Sequence, residues 1–273
     1  MARVEVFFLP FQGRGRFCVL HSPDRASTSA GAFVYVHPFA EEMNKSRRMA
    51  ALQARALAAA GWFVLQIDLF GCGDSEGQFG DATWSRWVDD VMDASVWLCN
   101  RCGFVPMLWG MRLGCLLVAE AARRMQSSTD LLFWQPVHSG RQFLQQFLRL
   151  KLANQLFLGD DRERLRTEDL RGQLAQGEVI EIGGYALSPD LALGMDKSEL
   201  SPPPISVRAA WFEVLATPEL TPVTRSRVQV WQAAGIQVDV HAVAGPPFWQ
   251  TQEISECPEL IEATVDAVER WRK

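Results

Sequence analysis

Apolar runs of strand length alternate with segments of helical periodicity along almost the whole chain. This alternation is typical of a mostly parallel sheet whose strands are joined by crossover helices. The chain has 273 residues, 48% of them hydrophobic, so it can bury one large core, and we expect a single α/β domain. The predicted strands are 4–9, 16–21, 32–36, 62–68, 106–109, 130–134, 207–215 and 237–243. The predicted helices are 43–60, 84–99, 113–125, 223–234 and 258–272.

Two segments depart from the alternation. Residues 12–15 (Gln-Gly-Arg-Gly) are a hairpin signal, which predicts that the first two strands form an antiparallel edge of the sheet. Residues 138–204 are long and partly helical, and they lie between two predicted strands. We interpret them as a cap over the carboxyl edge of the sheet, where such folds bind ligands. The core of the single domain is then 1–137 and 205–273.

Charge and composition exclude several classes of partner. The net charge is −5, from 32 acidic and 27 basic residues, so we expect no binding to nucleic acid or to an anionic membrane. No apolar run is long enough for a signal peptide or a membrane span, and the six cysteines are interpreted as reduced thiols. These features predict a cytoplasmic protein. We expect neither a metal site nor a cofactor, and the sequence leaves the oligomeric state open.

A glycine-flanked pentapeptide lies between the fifth predicted strand and the following helix. It reads Gly110, Met111, Arg112, Leu113 and Gly114. The spacing is that of the nucleophile elbow, G-x-S-x-G, in which the glycines allow a sharp turn that exposes the central side chain. Here the central residue is arginine. A guanidinium stays protonated and has no lone pair to attack a carbonyl, so Arg112 cannot act as the nucleophile.

Three further patterns occur in the order expected for an α/β-hydrolase. Residues 35–39 end the third predicted strand, where these enzymes place the loop that donates one oxyanion-hole amide. Residues 68–77 resemble the turn D-x-x-G-x-G-x-S-x-G, and the cap follows residue 137. Together with the elbow, these patterns predict the α/β-hydrolase fold, with a mostly parallel eight-stranded sheet and an inserted cap.

The residues of a Ser-His-acid triad are largely missing. The chain has four histidines, and none follows the last predicted strand, where the triad histidine is needed. The loop there, 245–250, reads Gly-Pro-Pro-Phe-Trp-Gln instead. At the position of the acid, the sequence offers Glu219 or, nearer the strand, Glu213. The serine and the histidine are therefore absent.

Three segments resemble one named family. They are HPFAEEMNKSR at 37–47, which is the most distinctive, GMRLG at 110–114 and GPPFWQTQEI at 245–254. They resemble the exosortase A system-associated hydrolases of the type called hydrolase 2, and the resemblance extends over nearly the whole chain. It implies an α/β-hydrolase fold and a bacterial gene neighbourhood for exopolysaccharide production and exosortase-dependent sorting. The name of the family implies hydrolysis, of an ester or an acylated carbohydrate.

The positive charge of Arg112 needs an acidic partner, because the helix that begins beside it also presents positive charge. The fold offers five carboxylates: Glu41, Glu42, Glu213, Glu219 and Glu253. In one interpretation, a salt bridge to one of them only fastens loops together. In another, Arg112 binds a small anionic or carbohydrate-type ligand. The further residues predicted to line that binding site are Phe39, Glu41, Glu42, Met111, Trp249 and Glu253.

A third interpretation keeps hydrolysis, with displaced machinery. His138 or His37 would be the base, Glu219 an acid, and Cys115, Ser139 or a water molecule the nucleophile. The sequence thus leaves two functions open. One is an enzyme that hydrolyses an ester or acylated carbohydrate without a serine nucleophile. The other is a non-catalytic protein that binds an anion or serves as a scaffold.

Overall fold

The central sheet has eight strands in the part of the chain that the structure describes. The structure is a computed structural model, and it describes residues 3–24, 29–125, 128–157, 166–205 and 208–272. The strands, in chain order, are β1 (Arg3–Phe11), β2 (Arg14–Ser22), β3 (Gly31–Val36), β4 (Trp62–Ile67), β5 (Met107–Met111), β6 (Leu131–Trp134), β7 (Ile180–Ile182), β8 (Tyr185–Leu187), β9 (Arg208–Leu215) and β10 (Gln237–Ala244). Of these, β7 and β8 form a separate two-stranded hairpin.

The strand order in the main sheet is β1-β2-β4-β3-β5-β6-β9-β10. β1 and β2 pair antiparallel, as do β2 and β4, and all the other pairs are parallel. The predicted mostly parallel sheet with an antiparallel edge is therefore confirmed. Because parallel strands point the same way, the loops that follow β3, β5, β6 and β9 meet at one edge of the sheet.

Helices connect the strands and cover both faces of the sheet. They are α1 (Glu41–Ala59), α2 (Trp84–Cys102), α3 (Gly114–Met125), α4 (Gly140–Phe157), α5 (Thr167–Ala175), α6 (Pro189–Lys197), α7 (Pro222–Ala233) and α8 (Pro258–Glu269). α2 shows why they form: Thr83 caps its amino end by accepting from the Arg86 N–H, and Gly103 ends it at a φ of +80°. One face of α2 is buried in the core; its residues are Trp84, Trp87, Val91, Ala94 and Leu98.

The segment between β6 and β9 is partly helical, as predicted, and contains α4, α5, the β7–β8 hairpin and α6. The hairpin was not expected from the sequence, because its strands have only three residues each. α4 lies against the loop after β3, where Phe39 meets Phe143 and Phe147 edge to face, with ring centroids 5.8 and 4.9 Å apart. The segment therefore covers the carboxyl edge of the sheet.

Among the described residues, no helix combines the length and the apolar character that crossing a bilayer requires. All six cysteines are free thiols, including Cys99 and Cys102 near the end of α2.

Candidate functional site

A sharp turn joins β5 to α3 at the carboxyl edge of the sheet. Arg112 stands at its apex with a φ of +53°, a left-handed conformation that is uncommon for residues with a side chain. Backbone hydrogen bonds hold it there. Its N–H donates to the Trp134 carbonyl at 2.9 Å, and its own carbonyl accepts from the N–H of Cys115 at 3.1 Å and of Val137 at 3.3 Å. The backbone thus keeps the elbow geometry that exposes the central side chain.

The flanking glycines are needed because other backbone atoms approach them closely. A Cβ on Gly110 would lie 2.7 Å from the Cα of Cys115, and one on Gly114 would lie 2.5 Å from the carbonyl oxygen of Val36. The sequence predicted glycine here for a tight turn, but neither glycine has a positive φ. The left-handed residue is Arg112 itself. The glycines instead let α3 pack directly against β3 and β5.

Arg112 forms an ion pair with Glu42 in the first turn of α1. Its Nε and Nη2 each donate to Glu42 Oε1 at 3.1 Å, and Nε is 3.4 Å from Oε2. Both side chains are largely buried, 18% and 20% exposed. Burial raises the pKa of Glu42 above its ordinary value, against the lowering effect of Arg112. The pair therefore fixes the guanidinium in place but leaves the carboxyl easier to protonate than an exposed glutamate.

The guanidinium of Arg112 also lies near an aromatic ring. The Cζ of Arg112 lies 5.5 Å from the centre of the Trp249 ring, within the range of a cation–π contact. Trp249 belongs to the loop after β10, where a triad histidine would stand. Its neighbour Phe248 is fully buried and packs edge to face on Trp134, with centroids 6.3 Å apart. Two aromatic residues thus fill the place of the imidazole.

A cavity of about 340 Å³ lies between the elbow and the cap. Predicted binding residues that line it are Phe39, Glu41, Glu42, Arg112 and Trp249. The sequence did not assign the remaining lining residues to the site; they are Ala40, Lys45, Phe143, Gln146, Phe147, Leu150 and Gln250. Three of these residues, Phe143, Phe147 and Leu150, recur at helical spacing on α4. This spacing was the sequence signal that could have predicted an apolar helix face over the site. The cavity lining therefore combines aromatic and apolar side chains with four charged ones, Glu41, Glu42, Lys45 and Arg112.

His37, the other candidate base, has a backbone partner at each ring nitrogen, which differs from the sequence expectation of a free base. Its Nδ1 lies 2.8 Å from the carbonyl oxygen of Pro38, and its Nε2 accepts the N–H of Leu69 at 3.2 Å. Both nitrogens are therefore used to join the loops after β3 and β4. Burial lowers the pKa of His37, so it stays neutral in this structural role.

His138 is half-buried at the start of the cap and is not among the residues that line the cavity. Its ring stacks on Trp211, with centroids 5.6 Å apart. Burial, with a smaller contribution from Arg227, lowers the pKa of His138 to about 4. A histidine with this pKa is a weak base. The sequence offered His138 as a candidate base, and the structure places it outside the lining of the cavity at the elbow.

The nucleophiles proposed from sequence have other partners. Ser139 Oγ donates to Glu199 Oε1 at 2.6 Å and so is not paired with an imidazole. Cys115 is fully buried, and burial raises the pKa of its thiol well above the ordinary value. Among the described residues, neither group forms a nucleophile–base pair.

The other predicted residues also lie away from the cavity. Glu219 is exposed and pairs with Arg225 at 2.9 Å, while Glu253 is exposed on the loop after β10. Glu213 is buried and accepts from both the N–H and the hydroxyl of Thr221, so it anchors the start of α7. Met111 is buried in the core beside Tyr35, because residue 111 still belongs to the strand. Only Glu42 among the five candidate carboxylates pairs with Arg112.

Comparisons with known proteins agree on the fold. Est1E from Butyrivibrio proteoclasticus, in a structure with ferulic acid bound, is 15% identical with a TM-score of 0.63, over 97% of each chain. A carboxyl esterase from Bacillus coagulans is 12% identical with a TM-score of 0.62, over 98% of each chain. Mouse alpha/beta hydrolase domain-containing protein 10 is 15% identical with a TM-score of 0.58, over 98% of each chain.

No family model and no curated protein sequence matches the chain. The structural likeness and the strand order together establish that the chain has the α/β-hydrolase fold, as the sequence predicts. At these identities the likeness concerns the fold alone. The resemblance to the exosortase-associated family stays a prediction.

Proposed function

We propose that this protein binds an amphipathic anion in the cavity above the elbow, with Arg112 as the anchor, and does not perform serine-type hydrolysis. The observation that carries the proposal is that the guanidinium of Arg112 is only partly paired within the protein. Glu42 accepts from Nε and Nη2, whereas Nη1 donates to no protein atom among the described residues. A charged donor held in position beside a cavity is suited to accept an oxygen of a carboxylate, phosphate or sulfonate.

The lining residues of the cavity also indicate the chemistry of the rest of the ligand. Most of the uncharged lining is apolar or aromatic, from Phe39, Phe143, Phe147, Leu150 and Trp249. These apolar residues outnumber the uncharged polar ones, Gln146 and Gln250, so an aryl or acyl group with one anionic end fits better than a sugar acid with several hydroxyl groups. Ferulic acid, bound to one of the structurally similar proteins, is an aromatic acid of this kind.

Two sources of positive charge besides Arg112 lie near the cavity, whose lining also includes Glu41 and Glu42. Lys45 lies on the cavity rim, where its Nζ donates to the Gln252 carbonyl at 3.0 Å. α3 begins at Gly114, so the positive end of its dipole lies next to Arg112. When Glu42 is ionised, it neutralises Arg112, and when it is protonated, the guanidinium charge is free for the ligand.

The proposed setting comes from the sequence resemblance. The chain resembles exosortase A system-associated hydrolases, so we infer a bacterial cytoplasmic protein that acts beside exopolysaccharide production. Its ligand would then be an acyl or aryl acid, free or released from an acylated carbohydrate. The six free thiols are in keeping with a reducing compartment.

Hydrolysis of an ester or acylated carbohydrate is the second candidate. It is supported by the retained elbow backbone, with its left-handed residue 112, and by the esterase among the structural neighbours. This function needs a base that can reach water in the cavity, and no histidine is among the lining residues. Turnover of a naphthyl ester at a rate that depends on the cavity residues would establish this candidate and contradict the first.

Calorimetric titration with 2-naphthalenesulfonate tests the proposed anion site. The probe has an apolar ring system and a charge that does not titrate, and its sulfonamide is an uncharged control of similar shape. We expect the sulfonate to bind at least about tenfold more tightly than the sulfonamide, because only the sulfonate pairs with Arg112 as an ion. Equal affinities would contradict an anion site, and no binding of either compound would favour a scaffold.

The affinity for the sulfonate should increase as the pH falls through the raised pKa of Glu42. Protonation of this carboxyl removes a negative charge beside the bound anion, and the bound anion in turn raises the pKa of Glu42 further. We expect a gain of about tenfold, equivalent to one pKa unit of coupling. The Glu42→Gln variant should bind tightly at every pH. A pH dependence that persists in Glu42→Gln would assign the effect to another group.

A further inference from the structure

β1 is an edge strand with an apolar outer face. Val4, Val6 and Phe8 alternate along it and are 50%, 60% and 57% exposed. β1 pairs with β2 on one side, and no other strand of the described residues pairs with it on the other. Natural proteins usually protect such an edge with charged residues, a bulge or a covering helix. None of these interrupts the stripe formed by Val4, Val6 and Phe8.

The opposite edge of the sheet is protected in the usual way. On β10, Asp239 pairs with His241 at 3.1 Å and with Arg270 of the C-terminal segment at 2.8 Å. A second chain that paired with this edge would have to approach these charged groups. The two edges thus differ in their suitability for pairing.

The hairpin geometry fixes which backbone groups of β1 are free. Gln12 and Gly13 both have positive φ, and they join Phe11 to Arg14 in a two-residue turn. In such a hairpin the closing pair exchanges hydrogen bonds, and bonded pairs recur at every second residue. The odd-numbered residues of β1 therefore bond to β2, and the even-numbered ones direct their N–H and C=O groups outward. Pro10, which has no N–H, falls in the outward set, where a proline is tolerated.

The free backbone groups and the exposed apolar side chains consequently belong to the same residues. Val4, Val6 and Phe8 are evenly spaced, so a two-fold axis at Val6 would place Val6 opposite the partner's Val6 and Val4 opposite the partner's Phe8. Each of these opposed pairs would exchange two hydrogen bonds, which gives about six across the interface. Arg3 and Glu5 point to the other face, where they lie 3.5 Å apart. No charged side chain of β1 therefore lies on the pairing stripe.

We propose that two copies of this chain associate through antiparallel pairing of their β1 strands about Val6. Their sheets then form one continuous sheet, and the apolar stripes of the two copies pack side by side on one face of it. A cavity of about 240 Å³ that Val4, Phe17 and Val19 help to line lies beside the stripe. This inference does not depend on the proposed anion site, because β1 contributes no residue to that cavity.

Sedimentation equilibrium of the full chain over a dilution series tests the association. We expect a species of twice the 30.6 kDa chain mass that dissociates on dilution. Val6→Lys and Val6→Glu should each weaken the dimer by at least about tenfold, since like charges would meet at the axis. Val230→Lys changes a residue that is equally apolar and 50% exposed on α7, and it should leave the dimer unchanged.

Mixing the two variants locates the axis. If residue 6 faces residue 6, an equimolar mixture of Val6→Lys and Val6→Glu should form a heterodimer, because opposite charges then meet. A wild-type chain that is monomeric at every concentration would overturn the proposal. So would a dimer that Val6→Lys and Val6→Glu do not weaken, or a mixture that stays monomeric while circular dichroism shows both variants folded.

Discussion

Gly114→Ala is expected to lower the free energy of unfolding by about 3 kcal/mol, as an overpacked core does. The new Cβ would lie 2.5 Å from the carbonyl oxygen of Val36 and 2.8 Å from that of His37. Both contacts are to backbone atoms that cannot rotate away, and Val36 ends a central strand of the sheet. To relieve the clash, α3 would have to move away from β3, which would also displace the elbow.

Gly172→Ala is the matched control. Gly172 lies in α5, and a Cβ there would meet no atom within 4 Å. Alanine favours helix over glycine by up to about 1 kcal/mol, so this variant should be slightly stabilised. Urea denaturation followed by circular dichroism measures both variants. Equal stability of Gly114→Ala and wild type would mean that α3 does not pack against β3 as described.

Asp90→Ala is expected to cost about 3–5 kcal/mol, because it leaves a buried guanidinium without its partner. Arg16 is fully buried, and its Nε donates to Asp90 Oδ1 at 2.8 Å. Asp90 Oδ2 accepts the Phe70 N–H, also at 2.8 Å, so the variant removes the acceptor for a backbone group as well. The midpoint of unfolding in guanidinium chloride, a denaturant, measures this loss of stability.

Replacing both Arg16 and Asp90 shows whether the loss of stability in Asp90→Ala comes from the unpaired charge or from general disruption of the core. Arg16→Met combined with Asp90→Leu removes both charges and roughly keeps the volume, so the double variant should be more stable than Asp90→Ala alone. The free energies of unfolding of Arg16→Met and Asp90→Leu, each made alone, complete the comparison. If the double variant loses as much stability as the two single variants together, the two groups are energetically independent.

The backbone of the site was largely predictable, because it depends on local signals. The alternation of strands and helices gave the sheet, and the glycines at 110 and 114 marked the elbow. The choice among the five carboxylates was not predictable, since it depends on how the loop after β3 brings Glu42 to within 3.1 Å of Arg112. Ala40, with its φ of +50°, allows this path, and alanine gives no sequence signal for it.

The environments of other side chains were not predictable from the sequence for the same reason. The four histidines are visible in the sequence, but the hydrogen bonds that occupy both nitrogens of His37 arise only when two distant loops meet. Arg16 lies in a strand, where a charged residue usually indicates an exposed position, yet it is fully buried because Asp90 of α2 reaches it. Pairings across the fold set these environments, and a single sequence does not record them.

The central arrangement of the molecule is an elbow of a hydrolase fold that presents the fixed guanidinium of Arg112 to a cavity. Titration of 2-naphthalenesulfonate into wild type and Arg112→Gln tests it most directly. The loss of a charged hydrogen bond of about 2 kcal/mol predicts roughly 30-fold weaker binding to Arg112→Gln. Arg48→Gln, which removes an exposed arginine of α1 that pairs with Glu256 outside the cavity, should bind like the wild type. Equal affinity of Arg112→Gln and wild type, with both folded, would contradict the account.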